Sequence, residues 1–307
     1  MIDNIDLQIM KELQKNCRQP IRKIGNYLDI SYNTVNNRIK RMKEQQIIDN
    51  FVTIVNQEIF GYKKVYLLIS QVNIEQKEKK TEFNNHKVFD ILNLAGKISE
   101  WYACVGQLHS FGILIKDNIE KKIEAIKKLL KTSSVTILGI QEPKSEINLQ
   151  RLSETDLKLI YYLVKNPKIT IDNLADNMEI TTKTVKRRTD VLIKNKVISF
   201  STIFKPESIR GYILFHILLR IKQDNITNVF EKIRKEHENY FFAYPVLQSR
   251  IIFLNLFATN VYELDKRYIE IINIAGDEIE NSWLFIDKYT EMFQGWIFEE
   301  INKYRRT

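Results

Sequence analysis

Apolar residues at the start of the chain recur at three- and four-residue intervals. Ile5, Ile9 and Leu13, with Met10 beside them, predict a short amphipathic helix. Pro20 precedes a second stripe at Ile21, Ile24 and Leu28, and a third follows at Val35, Ile39 and Met42. Ser31 stands where the third helix begins, and its hydroxyl can accept from an otherwise unpaired amide. Asp29-Ile30-Ser31 supplies the turn between the second and third helices. Three short helices with a tight turn before the last predict a helix-turn-helix unit. The same plan returns later: Leu157, Ile160 and Leu163, then Ile171, Leu174 and Met178, then Thr181 as a cap before Val185 and Leu192.

Beyond each helical stretch the period shortens to that of strands. Runs at Ile48–Val55 and Ile198–Phe204 come first, and Gly61 and Gly211 mark turns. Strands are then expected at Val65–Ile74 and Tyr212–Lys222, followed by helices at His86–Leu94 and Ile226–His237. Hairpins follow at Trp101–Val105 with Phe111–Ile115 and at Tyr240–Val246 with Ile251–Phe257. Helices at Ile119–Leu130 and Tyr262–Ile272 precede last strands at Val135–Ile140 and Trp283–Ile286. The order β-α-β-β-α-β is the signature of a ferredoxin-like fold. Helices cover one face of such a sheet, and the other, rich in aromatic and branched residues, should be buried against another copy within or between chains.

The two passages are copies. Sliding the chain against itself by 150 residues superposes Asp6-Leu7 on Asp156-Leu157, Leu13 on Leu163 and Asn16 on Asn166. Thr34-Val35 falls on Thr184-Val185, Arg38 on Arg188 and Gly61-Tyr62 on Gly211-Tyr212, without a gap. The reading is an α+β chain with two helix-turn-helix domains (1–60 and 150–210) alternating with two ferredoxin-like domains (61–142 and 211–307). Pro143, Lys144, Ser145 and Glu146 mark an exposed linker in Gln141–Gln150. The aromatics after Asp287, among them Tyr289, Trp296 and Phe298, read as a docking helix.

Of 307 residues, 44% are hydrophobic and 28% charged, the balance of a folded protein. Cys17 and Cys104 offer neither a disulfide framework nor metal-ligand spacing, so a reducing compartment, a cytoplasmic location and no cofactor are expected. Met1–Asn16 mixes charges among its apolar residues unlike a signal peptide, and no apolar run approaches membrane-spanning length. A net charge of +9 favours an anionic partner.

The placement of that charge sharpens the expectation. Tyr32, Asn33, Asn36 and Asn37 occupy the start of the first third helix, with Arg38, Lys40 and Arg41 behind them. In the second, Thr182, Lys183, Lys186, Arg187 and Arg188 crowd the start. Asparagine pairs with adenine through two hydrogen bonds, and lysine and arginine meet phosphates or guanines, so double-stranded DNA is the expected partner. Arg38 and Arg188 have an alternative, packing against the core with paired guanidinium groups. The first unit leans toward base discrimination and the second toward phosphate grip. Thr189 replaces Ile39 on the inward side, trading apolar burial for a hydroxyl.

Ile2-Asp3-Asn4-Ile5-Asp6, Ile30-Ser31, Thr34-Val35, Arg38-Ile39 and Ile47-Ile48 resemble the Lrp/AsnC family of transcription regulators. Leu152-Ser153-Glu154-Thr155-Asp156, Ile180-Thr181, Thr184-Val185, Arg188 and Val197-Ile198 repeat that resemblance, which implies a tandemly duplicated member with Lrp/AsnC effector-type second domains. It further implies sequence-specific DNA binding, modulation by an amino acid or other small molecule, and pairing of sheets as a homo-oligomer or an intramolecular pseudo-dimer. The family's hairpin glycine near its effector pocket matches Gly106, which a turn needing positive φ also explains; Val246-Leu247-Gln248 lacks the glycine. Two other readings stand beside regulation. One is an architectural or protein-interaction scaffold. The other is an enzyme like the sirohaem decarboxylases, which are similar in architecture but whose His-Asn-Tyr pattern is matched only loosely by His237-Glu238-Asn239-Tyr240, with Phe242 where an arginine is expected. No nucleophile-base motif or phosphate loop is present, and the reading is of a non-enzyme.

Overall fold

The computed structural model describes residues 2–70, 87–130, 134–141, 152–222, 225–248 and 250–304. The first bundle consists of α1 (Asn4–Lys15), α2 (Ile21–Leu28) and α3 (Tyr32–Glu44). Asp3 opens α1 with a capping box, exchanging backbone-to-carboxylate hydrogen bonds with Asp6. Asp29, at φ 54°, ends α2 in the left-handed region and turns the chain into α3. Ser31 Oγ accepts from the Thr34 amide at 3.0 Å, the expected cap. β1 (Ile48–Val55) and β2 (Lys63–Ser70) follow, then α4 (Lys87–Ala95), β3 (Lys97–Cys104), β4 (Leu108–Ile115), α5 (Ile119–Leu129) and β5 (Ser134–Ile140).

The second copy repeats the order with α6 (Glu154–Lys165), α7 (Ile171–Met178), α8 (Thr182–Lys194) and β6 (Ile198–Phe204). After these come β7 (Ile213–Ile221), α9 (Ile226–His237), β8 (Phe241–Gln248), β9 (Ile251–Ala258), α10 (Val261–Ala275), β10 (Ile279–Met292) and α11 (Gly295–Tyr304). The expected extension of β2 to Ile74, the start of α4 at His86 and most of the Gln141–Gln150 connection lie outside the described residues. Among the described residues no helix is long and apolar enough to cross a membrane.

The strands of both copies form one eight-stranded sheet in the order β5-β2-β4-β3-β10-β7-β9-β8. Two separate sheets were expected, and β10 is the reason for the difference. Expected only at Trp283–Ile286, it runs for 14 residues. Its first part pairs with β7, from Ile279↔Ile221 to Ile286↔Phe215. Its second part pairs with β3, from Asp287↔Cys104 to Met292↔Glu100. The residues after Asp287 therefore begin as strand, and the docking helix starts only at Gly295. At the junction, the buried His216 imidazole meets the Asp287 carboxylate, stacked on Phe253 at 4.8 Å.

The sheet also folds over on itself, so its open faces meet as the aromatic and branched residues there required. Leu68, Cys104 and Leu138 from one half pack with Leu218 and Phe285 from the other. Arg220 Nη2 crosses this seam and donates to the carbonyls of Ile137 and Leu138 at 2.8 Å each. Burying a side chain such as Phe285, 3% exposed, contributes roughly 2 kcal/mol.

Each bundle packs on the sheet of the opposite copy. The first bundle's core, including Ile9, Met10, Ile24, Val35 and Met42, continues into Phe204, Leu214, Phe242 and Phe257. The second bundle's core continues into Val55, Ile59, Phe60 and Tyr62, and Trp296, Ile297 and Ile301 of α11 close it.

Candidate nucleic-acid interface

The site is built from two helix faces and the strands that fix their relation. In α3 the apolar triplet Val35, Ile39 and Met42 is buried, at 0%, 8% and 0% exposure, and turns the opposite face outward. Tyr32, Asn33, Asn36, Asn37 and Lys40 are all exposed on that face. In α8, Val185 and Leu192 are buried, and Thr182, Lys183, Lys186 and Arg187 are exposed. Thr181 Oγ1 accepts from the Thr184 amide at 3.2 Å, capping α8 as Ser31 caps α3. Thr189, in place of Ile39, satisfies its hydroxyl on the Val185 carbonyl at 2.8 Å, one turn back.

Three of the expected DNA contacts have another occupation. Arg38 Nη1 lies 2.7 Å from Asp3 and 2.9 Å from Asp6, and Arg41 Nη2 lies 2.5 Å from Asp6. Arg188 Nη1 makes the equivalent contacts, 2.9 Å to Asp156 and 2.9 Å to Ser153 Oγ. Burial pushes the Asp3 carboxyl up, but hydrogen bonds from Arg38 and the Asp6 amide outweigh it and hold Asp3 below the ordinary aspartate value. These arginines tie the third helix of each bundle to the capping box of the first. The Asp3 and Asp6 carboxylates and the repeated Asp156 carried that signal in the sequence, but their role as clamps was not read there.

Charge left for a ligand is therefore unequal. Lys183, Lys186 and Arg187 have no ion-pair partner among the described residues. On α3, Lys40 faces Glu44 at 3.9 Å in an exposed pair, and Lys43 lies over the Phe51 ring at 4.8 Å. The amide-rich tip of α3 and the cationic tip of α8 present different chemistry.

The relation between the two faces comes from β1 and β6, which pair antiparallel as a separate two-stranded sheet. Phe51 pairs with Thr202 and Val52 with Ser201, so each residue meets the repeat equivalent of its own neighbour. A local two-fold axis passes between them. Side chains also bridge the bundles from both sides: Thr53 Oγ1 donates to the Leu163 carbonyl at 2.6 Å, and Thr202 Oγ1, one position before the repeat equivalent of Thr53, donates to the Leu13 carbonyl at 3.2 Å. Arg18 donates to the Pro167 carbonyl at 2.7 Å, and its equivalent Lys168 donates to the Cys17 carbonyl at 2.5 Å. Such bonds satisfy carbonyls at and beyond the helix ends that lack partners of their own. None of this cross-bundle bonding was expected from the sequence.

Gly106 lies in the β3–β4 turn at φ +83°, next to Gln107 at φ 57°, and a Cβ on it would meet nothing within 4 Å. Its conformation is that of a turn glycine.

Comparison with known proteins finds a helix-turn-helix match in each copy. Residues 2–43 match the AsnC-type helix-turn-helix domain, and residues 152–199 match a winged helix-turn-helix DNA-binding domain. The HTH-type transcriptional regulator Ptr1 of Methanocaldococcus jannaschii is 34% identical over 120 residues, covering 39% of this chain and 76% of Ptr1. The HTH-type transcriptional regulator FL11 of Pyrococcus abyssi is 35% identical over 71 residues, covering 23% of this chain and 47% of that protein. The chain belongs to the Lrp/AsnC family of helix-turn-helix transcription regulators. Across its length it shares a fold with the siroheme decarboxylase NirDL, with a TM-score of 0.50, 13% identity and coverage of 99% of this chain and 100% of NirDL.

Proposed function

We propose that this protein is a sequence-specific regulator of transcription that binds double-stranded DNA with α3 and α8 together. The observation that carries the reading is the pair of outward helix faces held about one local two-fold axis by β1 and β6. An exposed capped helix fits the major groove, and two related by a two-fold axis suit two half-sites. Because the faces differ, the half-sites should differ. Asn33, Asn36 and Asn37, with Tyr32, would meet base edges, and Lys183, Lys186 and Arg187, with Thr182, would meet phosphates or guanines. Lys40 would reach phosphate. Arg38, Arg41 and Arg188 act as positioning residues, because their guanidinium groups are already bound to carboxylates.

We divide the remainder into two ferredoxin-like units, over 61–142 and 211–307. Each contributes four consecutive strands in the same relative order. The face-to-face contact made within one chain supports reading the two units together as an intramolecular pseudo-dimer.

The test is selection of bound duplexes from a random library at fixed salt. An asymmetric site with two distinct half-sites supports the reading, and Asn36→Ala should relax base preference in one half-site only. Equal enrichment of all duplexes would instead favour an architectural scaffold. The enzyme reading finds less support: His237 is buried beside Glu270 at 4.0 Å, and Phe242 packs edge-on against Phe204 at 5.6 Å in the first bundle's core.

A further inference from the structure

Where the sheet folds over on itself, the two faces do not close completely. They leave a cavity of about 150 Å³ between the halves. Its lining combines the apolar side chains of Leu138, Leu218, Ile251 and Phe253 with the polar ones of Tyr66, Glu100, Tyr102 and Ser110.

The lining makes room for the Glu100 carboxylate. Glu100 is 6% exposed, and its Oε2 faces Lys64 Nζ at 3.5 Å. Across the β3–β4 ladder Glu100 pairs with Gly112. A Cβ on residue 112 would stand 2.6 Å from Glu100 Cγ and 2.7 Å from Oε1, so only glycine leaves the space that the side chain fills. The Tyr102 and Ser110 hydroxyls have no hydrogen-bond partner among the described residues. Burial pushes the Tyr102 phenol up, so that hydroxyl stays protonated. A few polar groups, two of them hydroxyls without a hydrogen-bond partner among the described residues, thus line a mostly apolar space, which is the usual make-up of a small-molecule site.

Size and charge define the occupant. A space near 150 Å³ admits a molecule about as large as a substituted benzene. The Glu100 charge already faces Lys64, and a third buried charge would carry a desolvation penalty with no counter-ion to offset it. A neutral hydroxyl satisfies the carboxylate and the two hydroxyls at no such cost. We infer that this cavity is a binding site for a small neutral alcohol or phenol with an apolar body, its hydroxyl held by Glu100, Tyr102 and Ser110. The site is distinct from the DNA-facing helices and from the Gly106 turn, and it does not depend on the DNA-binding reading.

The experiment is calorimetric titration of the full chain with benzyl alcohol, beside ethylbenzene, which has the same shape without the hydroxyl. Benzyl alcohol should bind saturably at one site, raise the thermal midpoint, and bind at least about tenfold more tightly than ethylbenzene. Leu218→Trp, which fills the cavity from one of its apolar lining positions, should abolish the heat. Should that variant fail to fold, Ser110→Leu fills it from a lining position in the other half of the sheet and should do the same. No saturable binding to the folded protein at concentrations up to about 10 mM overturns the site. Equal affinity for ethylbenzene overturns the hydroxyl's role, and undiminished binding to a folded cavity-filled variant shows that the ligand sits elsewhere.

Discussion

Replacing Lys186 and Arg187 together with alanine removes two uncommitted cations from the exposed first half of α8. Both side chains are exposed and lack ion-pair partners among the described residues, so folding should be nearly untouched, within about 0.5 kcal/mol. Duplex binding should respond differently. Each phosphate neutralised by a cation releases counterions and adds about 0.9 to the slope of log K against log salt. Two lost contacts flatten that slope by about 1.8, so a fourfold rise in salt should weaken the wild type roughly tenfold more than the variant. Anisotropy of a labelled duplex, titrated at four salt concentrations, reads this directly, with circular dichroism and a melting curve confirming the fold. The matching exchange on α3, Asn36→Ala with Asn37→Ala, removes no charge and should leave the slope where it was. A wild-type slope in the folded Lys186→Ala/Arg187→Ala protein would refute the assignment of α8 to phosphate grip.

Three further outcomes follow from the packing. Asp6→Ala opens the capping box of α1 and strips a fully buried carboxylate from Arg38 and Arg41, which should cost about 3 kcal/mol in denaturant unfolding. Asp156→Ala, which frees only Arg188, should cost less, and a reversed order would show that the clamp is not what holds α3. Trp296→Ala empties the contact of α11 with Phe60 and Tyr62, whose rings lie 6.0 Å from the indole, and should cost about 3–5 kcal/mol; a loss under about 1 kcal/mol would mean α11 docks weakly. Glu300 should confer an acid sensitivity. Burial pushes its carboxyl up, but hydrogen bonds from Lys303, Lys116 and Tyr62 outweigh that and hold it below the ordinary glutamate value. The stability it supplies is complete above an unfolded value near 4.3 and disappears as pH falls through the lower folded value. The gap in melting temperature between wild type and Glu300→Gln should therefore shrink below about pH 4, and a constant gap would contradict the charge's role.

The helices, their caps and the turn between them were legible because they are local. Ser31 and Thr181 cap α3 and α8 as their positions before the apolar stripes required, and the 3.6-residue period placed Val35 and Val185 inward. The duplication was equally legible, since an ungapped match at 150 residues needs no geometry. The exposed residues of the candidate site followed from the same period. The clamps were half-legible: Arg38 and Arg188 had two competing partners in reach, and only the placement of Asp6 and Asp156 decided for the carboxylates.

By itself, then, the sequence determined which residues form each element, which faces are apolar and that one plan is used twice. Tertiary structure decided how the copies meet. Strand pairing between β1 and β6 depends on hydrogen bonds that every backbone offers, so no side-chain pattern names the partner. The length of β10, which joins both sheets into one, depends on β3 being present to pair with Asp287–Met292. The exchange of bundles between sheets is likewise invisible in a repeat, because equivalent apolar residues serve either copy equally well. Choice among such partners is made by distance and connection in three dimensions, and the periodicity of a single chain carries no record of it.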